Sequence, residues 1–298
     1  METQKETQKS FIPASIIIGA FMVSVALLMD SIWGPSQAGI SKNISENLDE
    51  QGNIAFAQVA LPVVWGDLGI KMLSVGVIDE DKLKALYRAR GGFSEDLRKL
   101  LYENDNGNLV INAENAGEIL NLLWALGLGT KNPILDSGEM VNPKYGGAGN
   151  FASTAGWTLA KGDAMEHFSR HPFIVLTADE QQLVERVSKG IFRPCCNNAT
   201  HFPDCNHGMA MLGLLELMAS QGVSEDEMYK AALAVNALWF PDTYATISKY
   251  LNLKGRSLAT ADPKELLGAT FSSGSGYRQI LNQVTAPAGG QSSGGCSV

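Results

Sequence analysis

The sequence predicts a mainly α-helical extracytoplasmic domain behind one N-terminal transmembrane helix, and three observations carry that expectation. An uncharged apolar run stands near the N-terminus. Helix start and stop signals then recur along the chain, while strand signals are few. The composition is globular, 45% hydrophobic and 18% charged, where a disordered chain is poorer in apolar residues. The formal net charge is −8 with no basic cluster, which excludes nucleic acid as an expected partner.

The run FIPASIIIGAFMVSVALLM covers residues 11–29 without a charge. At about 1.5 Å per residue it nearly matches a bilayer core of about 30 Å. Lys5 and Lys9 precede it and Asp30, Glu46, Asp49 and Glu50 follow. That asymmetry places residues 1–10 in the cytoplasm and the remainder outside. The lipid bilayer is thus an expected partner. A cleaved signal peptide is the alternative, with Ser36 and Ala38 offering a small-x-small site, although its apolar core is usually shorter. Residues 30–51 are polar and read as a tether.

The helical domain is expected over residues 52–270. NIAFAQVALPVVWGDLGIKMLSVGVI is apolar and reads as helical, broken at Pro62. DEDKLKALYRARGG has acids at its start, bases at its end and a glycine stop. FSEDLRKLLYEN has Ser94 as N-cap, and NAENAGEILNLLWALGLG starts at Asn112 and stops at glycines. These residues satisfy terminal amides and carbonyls and complement the macrodipole. NLVIN is the best strand signal. NPKYGGAGNFASTAGW reads as a loop, with neither a dinucleotide fingerprint nor a phosphate loop in it. A helix is expected around Thr158 to Arg170. Thr177 and Glu180 form a capping box for a helix closed by Gly190. HGMAMLGLLELMASQG is apolar nearly all round except Glu216, the pattern of a buried helix. Ser224 with Glu227 opens the next helix, and PDTYATISKYLN starts another with proline in its first turn. Residues 271–298 are rich in Gly, Ser and Gln and read as a disordered tail.

RPCCNNATHFPDCNHG, starting at Arg193, concentrates three of the four cysteines. The donor pattern is C-C-x4-H-x3-C-x-H. Thiolates and imidazoles together suit zinc or copper. Cys195, Cys196, Cys205 and His207 are the expected donors, with His201 and His167 competing for a place. Pro194 and Pro203 restrict the loop, and a helix start at Cys205 and His207 favours a thiolate there. His167 and His171, four residues apart, could share a helix face and complete or flank the same site. Pro172 disfavours helical geometry at His171. Glu166 is a candidate supporting group. Met211 and Met218 share a face with His207 and read as core, and Glu216 lies on the opposite face as a paired buried acid.

Two other readings remain open from the residues. The adjacent cysteines could exchange with Cys205 as a thiol–disulfide redox protein, with His201 or His207 as base. A disulfide from Cys205 to Cys195 or Cys196 would instead staple a cell-surface interaction domain, contributing roughly 2–3 kcal/mol. Cys296 ends the tail and could visit the loop or attach to a partner. No protein partner, substrate or reaction is indicated. Asn43 and Asn198 fit the glycosylation sequon.

The stretches KYGGAGNFASTAGWTLAKGDAMEHFSRH, RPCCNNATHFPDCNHGMAMLGLLELMASQG and NALWFPDTY resemble an uncharacterised family of single-span proteins of candidate-phylum bacteria. The resemblance implies a bacterial, membrane-anchored protein. It assigns no activity and no catalytic residue.

Overall fold

A computed structural model describes residues 58–285 except Arg90 and Trp157. The expected anchor, the tether and Cys296 lie outside the described residues. Among those residues no helix is long and apolar enough to cross a membrane.

The first element corrects the sequence reading. Val59–Val64 is a strand, β1, not a helix. Val59, Leu61 and Val63 are buried and alternate with more exposed neighbours, the period of a half-buried strand. It pairs antiparallel with β2, Asn108–Ile111, matching Val59 to Ile111 and Val64 to Asn108. The register is irregular between Ala60 and Val64, where Pro62 lacks the amide a ladder needs.

Three short helices lie between the strands: α1 (Leu68–Val75), α2 (Glu80–Arg88) and α3 (Glu95–Tyr102). Asp79 caps α2 through the amide of Lys82, and Ser94 caps α3 through that of Leu97. After β2, Asn112 makes a turn, its Oδ1 accepting from the amides of Glu114 and Asn115. The helix α4 therefore starts later than the sequence suggests, at Ala116, and runs to Gly129.

The core is built on α4 and α7 (Asn206–Ser220). In α7 every residue from Gly208 to Ala219 is buried. Each fully buried leucine there contributes about 1.5–3 kcal/mol. The two helices meet at Gly127 and Gly213. A Cβ on Gly213 would lie 2.5 Å from the Leu123 carbonyl and 2.7 Å from the Gly127 nitrogen, so hydrogen at both positions permits backbone contact.

A short α5 (Pro133–Asp136) follows α4, capped by Asn132. The segment up to α6 is loop and single 3₁₀ turns. The expected helix over Thr158–Arg170 does not form, and only Ala164–Glu166 makes a turn. Asp163 caps that turn, and Ser169 takes φ +53°, a left-handed conformation that ends helical geometry. Helix α6 (Ala178–Gly190) carries the Thr177–Glu180 capping box and packs on α7.

After α7, α8 (Glu225–Trp239) is capped by Ser224 and α9 (Pro241–Leu253) starts on proline. The chain then forms α10 (Pro263–Leu267), α11 (Ala269–Ser272) and α12 (Gly274–Thr285). The last two extend the helical domain past residue 270, where the sequence reading began a disordered tail. Ile280 is buried and Tyr277 and Val284 pack against the core, a spacing of one helix face.

Candidate metal centre

Helix α7 places the centre. Cys205 is its N-cap, and its Sγ accepts from the Gly208 amide at 3.4 Å. His207 lies in the first turn, its ring beside Trp239 and Phe240, with centroids 5.6 and 4.5 Å away. The preceding loop is fixed by the Thr200 amide on the Ile191 carbonyl and by Asn198 Nδ2 on Asp204 Oδ2 at 2.8 Å. That second bond engages the amide nitrogen of the Asn198 sequon.

The loop brings three thiols together. Cys195 Sγ is 3.5 Å from Cys205 Sγ and 3.9 Å from His207 Nδ1. Cys196 Sγ is 3.8 Å from Cys205 Sγ. All three are free cysteines, with Cys195 exposed. Two sulfurs bound tetrahedrally to one zinc at about 2.3 Å stand about 3.8 Å apart, whereas a disulfide needs about 2.05 Å. Cys195, Cys205 and His207 form one group of donors lying within 4.8 Å of one another, close enough to hold a metal ion.

Cys196, Asp204 and Cys205 form a second such group, and a side chain not singled out from the sequence faces it. Arg193 is fully buried. Its Nη2 lies 3.1 Å from Cys196 Sγ, 3.0 Å from Asp204 Oδ1 and 3.5 Å from Cys205 Sγ. Its Nε and Nη1 have no hydrogen-bond partner. Gly208 makes the room, since a Cβ there would lie 2.6 Å from Arg193 Nη2. Burial works against the guanidinium charge, and the Cys205, Cys196 and Asp204 charges outweigh it.

The Cys195 and Cys196 sulfurs both lie against Cys205 Sγ. Contacts from Cys195 and Cys196, outweighing burial and joined by His207 and the Arg193 charge, hold Cys205 far below the ordinary thiol range. Cys195 is pushed up chiefly by its contacts with Cys196 and Cys205. The cluster thus concentrates its first negative charge on Cys205, facing a cation and a helix N-terminus.

The other histidines are elsewhere. His201 Nε2 pairs with Glu185 Oε2 at 3.0 Å. His167 Nδ1 meets His171 Nε2 at 3.1 Å, and His167 Nε2 bonds the Lys161 carbonyl at 3.0 Å. Neither pair belongs to the donor groups around Cys205. Glu166 stands in neither group. Met211 and Met218 are fully buried core residues. Glu216 is buried too, its Oε1 accepting from Asn132 Nδ2 at 2.5 Å.

Sequence reasoning missed Arg193 because local pattern carries no sign of a buried arginine. The available signal was its position beside two cysteines, with a glycine at 208 to admit it. Compared with known proteins, the chain matches no family, no curated protein and no solved structure.

Proposed function

We propose that the protein is a metal-binding protein whose ion, zinc or copper, is held by the loop and the first turn of α7. The spacing of Cys195, Cys205 and His207 carries the reading: separations of 3.5 and 3.9 Å are near those of ligands around one ion. Arg193 and the Gly208 amide both donate to the Cys205 sulfur, the supporting role that hydrogen bonds to ligands play at metal sites. The uncharged run at residues 11–29 supports carriage behind a membrane anchor, with this domain outside the cytoplasm.

Metal analysis of the purified protein tests this. One equivalent of zinc or copper per chain is expected, with the Cys195 and Cys205 thiols slow to react until a chelator is added. Cys205→Ser should lose the ion. Metal-free wild type after zinc and copper(I) loading would refute the reading.

The Cys195–Cys205 contact also favours a second reading, thiol–disulfide exchange. There the two thiols would form one S–S bond, giving two electrons and two protons to an external disulfide, which is reduced to two thiols. Mass spectrometry of metal-free protein showing a reversible Cys195–Cys205 bridge that turns over a disulfide substrate would support it.

A further inference from the structure

Resting on the metal reading, the geometry points to a more specific arrangement. We propose that only three protein atoms bind the ion, Cys195 Sγ, Cys205 Sγ and His207 Nδ1. The fourth position is left to a small exogenous donor, and Cys196 is withheld from the ion by Arg193.

Five ligand-competent side chains, Cys195, Cys196, Asp204, Cys205 and His207, crowd this loop, so a closed four-donor site is the simple expectation. Their partners divide them otherwise. Cys196 stands in the donor group that holds Asp204, not in the one that holds His207. Its sulfur is already engaged, accepting from Arg193 Nη2 at 3.1 Å and donating to the Asn198 carbonyl at 3.8 Å. The same Arg193 nitrogen touches Asp204 and Cys205, so one buried guanidinium serves every member of the second group. A metal ion bound by all three would face that cation directly, a repulsion magnified by burial. In the first group the guanidinium reaches Cys205 alone, at 3.5 Å, and makes no hydrogen bond to Cys195 or His207.

Charge counting agrees. A divalent ion with two thiolates is neutral, and Arg193 with Asp204 is neutral. A third thiolate would leave the buried cluster with an unbalanced charge, which is costly away from water. Cys195 is the exposed member, so the ion sits toward the surface, where water or a small added ligand can reach the open position. Sites that keep such a position are those that exchange or activate a ligand, whereas structural zinc sites are closed by four protein donors.

Cobalt(II) substitution of the whole chain tests the proposal, because the sulfur-to-cobalt charge-transfer band grows with the number of bound thiolates. Cys196→Ser and Cys196→Ala should each keep the wild-type band, with circular dichroism confirming the fold. Cys195→Ser should halve the band. Added imidazole should shift the wild-type d–d bands as it enters the fourth position. A fall of about one third in both Cys196 variants, with d–d bands indifferent to imidazole, would overturn the three-donor site while leaving the metal reading intact. A wild-type chain that takes up no cobalt would overturn both.

Discussion

Gly213 faces Gly127 where α7 crosses α4, near enough that a Cβ on Gly213 would stand 2.7 Å from the Gly127 nitrogen. The backbone there has no flexible side chain to give way. Gly213→Ala must push the helices apart, at a cost of about 3 kcal/mol or more for overpacking. Gly117→Ala, where nothing lies within 4 Å, should stabilise by roughly 0.5–1 kcal/mol. Urea unfolding of both variants checks this, and equal effects would contradict it.

The last helix supports the cysteine loop. The Gly274 amide donates to the Cys196 carbonyl at 2.7 Å, and the Ser275 amide to Asn197 Oδ1 at 2.8 Å. Ile280→Ala should therefore cost about 2–4 kcal/mol. Ending the chain at Ser273 should weaken metal affinity as well as stability. A shortened chain that binds zinc as tightly as the whole one would count against that coupling.

Glu216 should stay protonated well above the ordinary carboxyl range, because burial outweighs the Asn132 hydrogen bond. Its Oε2 has no partner. An acid whose folded pKa is raised loses its proton first in the unfolded chain, so stability falls as pH rises above about 4.5. Glu216→Gln should raise the thermal midpoint at pH 7 and flatten that fall. A variant with a lower midpoint and an unchanged slope would contradict the assignment.

The His171 pKa is lowered by burial and by the His167 charge. Its neutral form is therefore favoured in the folded chain. The associated stability is fully present above about 6.5 and is lost as pH falls from there through the lower folded value. His171→Gln should reduce the loss of stability between pH 7 and pH 5, read by denaturant midpoints. Parallel wild-type and variant curves would exclude the effect.

Much of the helical frame was legible because terminal amides impose recognisable caps: Ser94, Thr177 and Ser224 stand where the sequence placed them. β1 was not, since a short apolar run does not distinguish a strand from a buried helix. α12 was hidden by glycine and serine, which dilute the stripe of Tyr277, Ile280 and Val284. At the site, the density of donors pointed to the loop, and three cysteines with His207 do gather. His201 and the His167–His171 pair answer to partners distant in sequence or to a left-handed turn at Ser169, neither of which spacing reveals. Arg193 depends on Gly208, fifteen positions along the chain, a pairing that only the folded loop creates.

X-ray absorption at the zinc edge of the zinc-loaded chain measures the central claim directly. The account predicts sulfur neighbours at about 2.3 Å and an imidazole nitrogen at about 2.0–2.1 Å from one ion. An ion surrounded by oxygen and nitrogen alone, with a disulfide joining Cys195 to Cys205, would contradict it.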